Sequence, residues 1–255
     1  MNIIRGTSNI KGNKLFTFES LDDFFNFLLS LNKNDYIFRG TSKDEQLKPL
    51  IIRKGLLKHE FDILEDFKKY AFALSYIKSA SDFYALAQHY GLATRLLDFT
   101  INPFVALFFA VNQISFPEND NYKLVMLSKR ELKPISLNPY SAIGDVLTLY
   151  EMDDFKGIIK QCFDSLSEKS KDGIYLFEPN YTNSRIMSQE GLFIIDTKLK
   201  YFEDLNSITN ECIIFEINKI LRDEILKRLD LMGINRIKMM NDLATVCNFI
   251  NKKYE

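Results

Sequence analysis

The stretch of sequence that decides the fold is Gln88-His89-Tyr90-Gly91-Leu92-Ala93-Thr94-Arg95-Leu96-Leu97-Asp98-Phe99-Thr100. A helix opened by Ser81 can end at Gly91, because glycine readily adopts the left-handed conformation that closes a helix. Beyond the stretch, Asn102-Pro103 suits the start of a new helix, since the first turn needs no N–H from proline. That helix, Phe104 to Asn112, is apolar on nearly every side, so we expect it at the centre of the fold.

Periodic apolar residues predict further elements on both sides of this stretch. Ser20 opens a helix with an acidic first turn, which favours the positive end of a helix. Residues 56–78 have helical periodicity, and Tyr36–Phe38 forms a short strand that delivers Arg39-Gly40 at its end. Later strands are predicted at Tyr122–Leu127, Ile174–Phe177, Gly191–Ile195 and Cys212–Ile217, and closing helices at Lys219–Leu231 and Asn241–Asn251.

The order of these elements predicts a single α+β domain over residues 1–255, with a helix-rich N-terminal half and a strand-rich C-terminal half. No repeat and no Pro/Gly/Ser-rich linker divides the chain. Residues 132–170 combine proline and glycine with weak periodicity, and we interpret them as an insertion or a lid. Residues 219–255 supply the C-terminal helices.

Composition narrows the class of protein. The net charge of −1 produces no overall field that would attract DNA or an acidic membrane. No apolar run is long enough for a signal peptide or a membrane span, so we expect a cytoplasmic protein without membrane association. Cys212 and Cys247 lie in apolar runs and are predicted to be buried thiols. With only His59 and His89, no histidine-rich metal site is expected.

Signatures of several common enzyme classes are absent from the sequence. It has no Gly-x-x-x-x-Gly-Lys-Ser/Thr loop, no Gly-x-Gly-x-x-Gly, no His-Glu-x-x-His and no Gly-x-Ser-x-Gly. These absences weaken interpretations of the protein as an ordinary kinase, a Rossmann dehydrogenase, a metalloprotease or an α/β-hydrolase.

Three blocks differ from ordinary core sequence: Tyr36-Ile37-Phe38-Arg39-Gly40, the stretch 88–100, and Arg185-Ile186-Met187-Ser188-Gln189-Glu190-Gly191-Leu192-Phe193. In this order they resemble the FRG family, named for a Phe-Arg-Gly tripeptide, over about residues 20–200. Ala93 departs from the family pattern, in which proline is frequent at that position. The departure affects the turn and leaves the polar residues in place.

The layout also resembles, more distantly, the ADP-ribosyltransferases. This resemblance implies a related fold that takes NAD as its substrate, with Arg39, Thr94 or Thr100, and Gln189 or Glu190 at the matching site positions. The two resemblances together imply a nucleotide ligand, a macromolecular acceptor of unknown identity, and a role as a bacterial toxin or in anti-phage defence. They leave the oligomeric state open.

The charged residues of the first block suit an anionic ligand. Arg39 ends an apolar strand, where a charge is costly unless it meets an anion or hydrogen-bond acceptors, and NAD pyrophosphate would supply both. Gly40 allows a close approach of the backbone. Arg53 is a second candidate phosphate donor, and the alternative is that it acts as a structural clamp. The structural alternative is that Arg39 pairs with a carboxylate, Glu60 or Asp98.

The middle block contains residues that could act on a ligand and residues that could only hold the fold together. His89 can act as an acid or base or stack on a base, while the alternative for Gln88 and His89 is a hydrogen-bonding scaffold. We expect Thr94 to line the pocket. Arg95 and Asp98 are three residues apart and would form a structural pair if that turn is helical.

The third block supplies candidates for stabilising the ribose as its bond to nicotinamide breaks. Glu190 supplies charge and Gln189 matches the family position. Because side chains alternate along a strand, we expect only one of the two to face the pocket. The structural alternative is a polar pair at a strand edge.

The leading functional prediction is NAD-dependent ADP-ribosyl transfer or NAD hydrolysis. One alternative is a non-catalytic module that senses a nucleotide or a nucleic-acid end, and another is an interaction protein whose polar residues stabilise the fold. The predicted catalytic residues are His89, Gln189 and Glu190, and the predicted nucleotide-binding residues are Arg39, Gly40, Arg53, Gln88, Thr94, Arg95 and Thr100.

Overall fold

A computed structural model describes residues 5–10, 13–18, 20–32, 34–41, 48–74, 77, 80–112, 121–135, 174–179, 184–196 and 212–254. The expected insertion or lid at 132–170 therefore lies, from residue 136 onward, outside the described residues. None of the described helices is long and apolar enough to cross a membrane.

The elements follow the predicted positions closely in the well-patterned regions. The helices are α1 Leu21–Ser30, α2 Leu50–Arg53, α3 Glu60–Leu74, α4 Ala80–His89, α5 Pro103–Val111, α6 Ser184–Gln189, α7 Arg222–Leu231, α8 Arg236–Met240 and α9 Leu243–Tyr254. Short 3₁₀ turns occupy Leu57–His59, Lys129–Glu131 and Lys219–Leu221. The strands are β1 Arg5–Ile10, β2 Asn13–Thr17, β3 Tyr36–Thr41, β4 Leu96–Thr100, β5 Tyr122–Ser128, β6 Lys133–Ile135, β7 Ile174–Phe177, β8 Gly191–Asp196 and β9 Cys212–Ile217.

The described strands form one mixed sheet in the order β1-β2-β9-β5-β3-β4-β8-β7-β6. The β2–β9 and β6–β7 pairs are parallel and the other pairs are antiparallel. The α+β class is confirmed. The described strands are nevertheless shared between both halves of the chain, because β1 to β4 interleave with the first helices.

The sheet opens between its central strand, β3, and the neighbouring β4. Strand β3 pairs with β5 along its whole length, from Tyr36 to Thr41, and β4 pairs with β8 from Leu96 to Thr100. Between β3 and β4 the ladder holds only at Phe38 and Thr100. Toward the start of β4 the two strands therefore part, and their edges become available to side chains.

Helices cover one face of the sheet on either side of this opening. Helices α1, α5 and α7 pack on β3, β5 and β9 in one apolar cluster, which includes Phe38 and Phe215. Helices α3 and α4, with Ile186 of α6, pack on β4, β7 and β8 in a second cluster. Between the two groups, the helical layer leaves room above the parted strands.

Helix α5 has the predicted central place. Asn102 caps it by accepting from the backbone N–H groups of Phe104 and Val105, and Pro103 occupies its first turn. Most of its side chains are buried, as expected for a helix that is apolar on nearly every side. Its closest approach to the sheet is at Gly40.

Gly40 permits this approach because it has no side chain. A Cβ atom there would overlap the backbone carbonyl oxygen of Ala106 and lie 2.5 Å from the backbone nitrogen of Ala110. Backbone atoms of a helix cannot move aside as a flexible side chain can. The packing of α5 on β3 thus explains why the Phe-Arg-Gly tripeptide ends in glycine. The same residue also lies at the opening in the sheet.

Some sequence predictions are corrected. The helical turn that a pair of Arg95 and Asp98 would require does not form, because residues 96–100 are a strand paired with β8. Cys212 is buried as predicted, whereas Cys247 is exposed on α9, since the outer face of that helix has no covering partner among the described residues. The predicted helix at 56–78 begins at Glu60 after a 3₁₀ turn. The strands β1 and β2 and helix α6 were not predicted.

Gly40→Ala should lower the free energy of unfolding by about 3 kcal/mol or more, because the added methyl group meets helix backbone. Chemical denaturation measures the loss. Gly191→Ala is the matched control: its Cβ would lie 3.7 Å from Ile186, an ordinary contact, so the change should stay within about 1 kcal/mol. Equal losses of unfolding free energy in both variants would show that the contact between α5 and β3 is not what requires glycine at position 40.

Candidate functional site

A cleft of about 380 Å³ lies over the opening between β3 and β4, bounded by α4, α5 and α6. Its apolar walls include Leu50, Leu92 and Phe109. The polar side chains that line it are Arg39, Arg53, Gln88, His89, Asp98, Thr100, Arg185 and Gln189. The fold therefore brings residues from all three sequence blocks to one place.

The structure gathers most, but not all, of the predicted site residues. The predicted site residues that line the cleft are Arg39, Gly40, Arg53, Gln88, His89, Thr100 and Gln189. Thr94, Arg95 and Glu190 are not part of the lining, and each is hydrogen-bonded to another side chain. Asp98 and Arg185 also line the cleft, although no sequence pattern had marked either as a ligand-binding residue.

Arg39 spans the opening in the sheet. Its Nη1 donates to the backbone carbonyl oxygen of Asp98 at 2.6 Å and lies 3.7 Å from Oδ2 of the same residue. The side chain is 14% exposed. Burial lowers the pKa of Arg39 and the nearby Arg53 lowers it further, while Asp98 opposes both effects. Of the two carboxylates considered as partners, Asp98 is the one that Arg39 meets.

Two further guanidinium groups face the cleft. Arg53 ends α2, and its Nε donates to the backbone carbonyl of Lys48 at 3.1 Å. Arg185 lies on α6, and its guanidinium has no hydrogen bond or ion pair with the part of the chain that the structure describes. With Arg39, three cations surround a cleft in which Asp98 is the only carboxylate among the described lining residues. The excess of positive charge favours an anionic ligand.

Asp98 belongs to a chain of hydrogen bonds that begins behind the cleft. The hydroxyl of Thr94 accepts from the backbone N–H of Leu96 at 3.2 Å and donates to Oε1 of Gln88 at 2.5 Å. This orients the amide of Gln88 so that its Nε2 donates to Oδ2 of Asp98 at 2.7 Å. Thr94 is fully buried and reaches the cleft only through Gln88.

Arg95 is held beneath the site by Glu60 and not by Asp98. Its Nε donates to Oε1 of Glu60 at 2.7 Å, its Nη2 donates to Oε2, and both side chains are buried. Burial alone would lower the pKa of Arg95, but the hydrogen bonds and charge of Glu60 raise it. The predicted pair of Arg95 and Asp98 is wrong, because the chain is a strand from Leu96 onward and the guanidinium of Arg95 pairs with Glu60.

Glu60→Ala should reduce the free energy of unfolding by about 3–5 kcal/mol, because it leaves the buried guanidinium of Arg95 without its carboxylate. Urea denaturation provides the measurement. The exposed pair of Asp66 and Lys69 is the matched control, and Asp66→Ala should cost less than about 1 kcal/mol. A small loss for Glu60→Ala would show that the pair does not hold α3 to β4.

His89 ends α4 at the edge of the cleft. Burial lowers its pKa to about 4, and the charge of Arg185 contributes, while Asp98 and Asp242 oppose the shift. The imidazole is therefore neutral near pH 7. A neutral imidazole can donate and accept hydrogen bonds or take up a proton, but it has no proton to give as an imidazolium acid.

This lowered pKa predicts a loss of stability in acid. The unfolded chain binds a proton at His89 more readily than the folded protein does. The stability associated with neutral His89 is therefore fully present above about pH 6.5 and is lost as the pH falls toward 4. His89→Gln should therefore lose less free energy of unfolding between about pH 7.5 and about pH 5 than the wild type does. His59→Gln, at an exposed histidine, is the control. Equal losses in wild type and His89→Gln would contradict the assignment.

The third block folds differently from the prediction. Gln189 is the last residue of α6, and Glu190 is a turn residue with a φ of 46°, so strand alternation does not apply to them. Nε2 of Gln189 donates to the backbone carbonyl of Met239 at 2.7 Å. Glu190 accepts from Nδ2 of Asn102 at 2.7 Å and so supports the residue that caps α5.

Fold and site define the class of this protein: an α+β protein with an electropositive cleft where its sheet opens. Residues 34–119 match the FRG domain, so the chain contains an FRG domain, as the sequence blocks predicted. The match covers 86 of 255 residues and includes Arg39, Arg53 and the stretch 88–100, but not Arg185 or Gln189. No curated protein and no solved structure matches the chain.

Proposed function

We propose that the cleft binds NAD and that the protein uses it for ADP-ribosyl transfer or NAD hydrolysis. The observation that carries this proposal is the convergence of the guanidinium groups of Arg39, Arg53 and Arg185 on a cleft with one described carboxylate. Such an excess of positive charge suits a ligand with a pyrophosphate. We place the activity in a bacterial toxin or anti-phage setting on the basis of the FRG resemblance.

The shape and lining of the cleft support a nucleotide as the ligand. Its volume falls within the range of about 300–1,000 Å³ that is typical of small-molecule sites. Guanidinium groups can bind phosphate oxygens through two parallel hydrogen bonds. Burial lowers the pKa of Arg39 and the charge of Arg53 lowers it further, so the two guanidinium groups are close enough to act on one ligand. The apolar walls at Leu50, Leu92 and Phe109 suit a planar ring.

A second function has a specific observation in its favour. Both residues predicted to stabilise the ribose have structural partners: Gln189 binds the carbonyl of Met239, and Glu190 binds Asn102 away from the cleft lining. A cleft that binds a nucleotide without breaking it would need no such residue. A non-catalytic nucleotide-sensing module is therefore the alternative.

Arg39→Lys should weaken binding of ADP-ribose and NAD about 10- to 100-fold, because lysine lacks the planar fork of arginine. Isothermal titration calorimetry measures the affinity. Arg130→Lys, at an exposed arginine paired with Asp35, should bind as the wild type does. Unchanged affinity in Arg39→Lys, with only a lower melting temperature, would assign Arg39 a structural role.

Release of nicotinamide from NAD distinguishes the two functions. We expect the purified wild-type protein to release nicotinamide, measured by chromatography, alone or with a macromolecular acceptor. Binding of NAD without release across a broad acceptor screen would favour the sensing module. Absence of both binding and release would contradict a nucleotide ligand altogether.

A further inference from the structure

We propose that Asp98 is the catalytic carboxylate of the cleft, stabilising the positive charge that develops on the ribose as its bond to nicotinamide breaks. This inference rests on the proposed function. The sequence pattern pointed to Gln189 and Glu190 for this role, and the structure turns Glu190 toward Asn102 and away from the lining.

The exposure of Asp98 suits contact with a ligand. Its side chain is 56% exposed and lies in the cleft lining, at the outward position of a strand whose other residues are buried. Its described partners, Gln88 and Arg39, both approach Oδ2. Oδ1 accepts no hydrogen bond from the described residues, so the protein holds one oxygen of this lining residue and leaves the other available to a ligand.

The carboxylate is also held in place before any ligand arrives. The hydroxyl of Thr94, fixed by the N–H of Leu96, orients Gln88, and Gln88 donates to Asp98. Thr94 is fully buried, so this chain is anchored in the core. A charge fixed in this way stabilises a transition state without having to reorganise during the reaction.

The arginines of the cleft give such a carboxylate a role in the reaction. Three guanidinium groups favour the pyrophosphate but oppose positive charge on the ribose. A carboxylate within the same cleft offsets that opposition where the charge develops. Among the described lining residues, Asp98 is the one that can supply it.

The reaction step follows from this arrangement. The bond between C1′ of the ribose and the nicotinamide nitrogen breaks, and its electron pair stays on the nitrogen, which becomes neutral. The positive charge passes to the ribose as an oxocarbenium ion facing Asp98. Water, or a nucleophile of the acceptor, then attacks C1′ and releases a proton to solvent.

Asp98→Asn tests the proposal because it should move two measurements in opposite directions. Nicotinamide release should fall about 100- to 1,000-fold, since a charge-stabilising group is lost. Binding of ADP-ribose, measured by calorimetry, should stay equal or become tighter, because a negative charge is removed from an anion site. Asp66→Asn makes the same chemical change at an exposed residue of α3 and should alter neither.

Each outcome decides between named explanations. A loss of release together with weaker ADP-ribose binding and a lower melting temperature would make Asp98 a structural residue and overturn the inference. Release at the wild-type rate by Asp98→Asn would overturn it too, and leave the proposed function standing. If the wild type binds NAD but releases no nicotinamide, the proposed function fails and this inference fails with it.

Discussion

The backbone of α5 lies against the backbone of β3 at Gly40, and the geometry of the whole site depends on this contact. It places a helix that is apolar on nearly every side over the centre of the sheet, close to the one pair of residues that β3 and β4 share. A side chain at this position would push the helix outward and remove one wall of the cleft. The Phe-Arg-Gly tripeptide thus combines three roles: Phe38 packs in the core, Arg39 bridges the parted strands, and Gly40 admits the helix.

Around this contact, the polar residues divide into those that build the site and those that face it. Glu60 and Arg95 form a buried pair that joins α3 to the start of β4. Glu190 and Asn102 join the turn before β8 to the cap of α5. These pairs satisfy charges that would otherwise be costly inside the protein. The excess of positive charge over carboxylates therefore lies among the described residues that line the cleft.

The electrostatics of the cleft follow from its depth. Arg39 is largely buried, so its interaction with Asp98 and with Arg53 is less screened than it would be at the surface. The same burial keeps His89 neutral near pH 7. A ligand that enters the cleft therefore meets fixed cations, a neutral imidazole and one carboxylate whose position is set by Thr94 and Gln88.

Much of the local structure could be predicted from the sequence. Ser20, Asn102 and Pro103 mark helix starts because capping depends on neighbouring residues, and alternating apolar residues mark the strands. The strands β1 and β2 and helix α6 were missed, because short elements have weak patterns. The first two blocks lie within the residues that match the FRG domain, and the three blocks supplied most of the polar residues that line the cleft.

The sequence by itself thus determined which segments become helices and strands. It also determined which charged residues lie within apolar stretches. The tertiary structure alone decided the partner of each charge. Arg95 meets Glu60, 35 residues away, and not Asp98, three residues away, because strand pairing extends the chain there. Asp98 and Arg185 enter the cleft only because the sheet order places β4 beside β3 and packs α6 near α4. Local patterns reflect interactions between neighbours in the chain, whereas the site is made by contacts between segments that the chain keeps far apart.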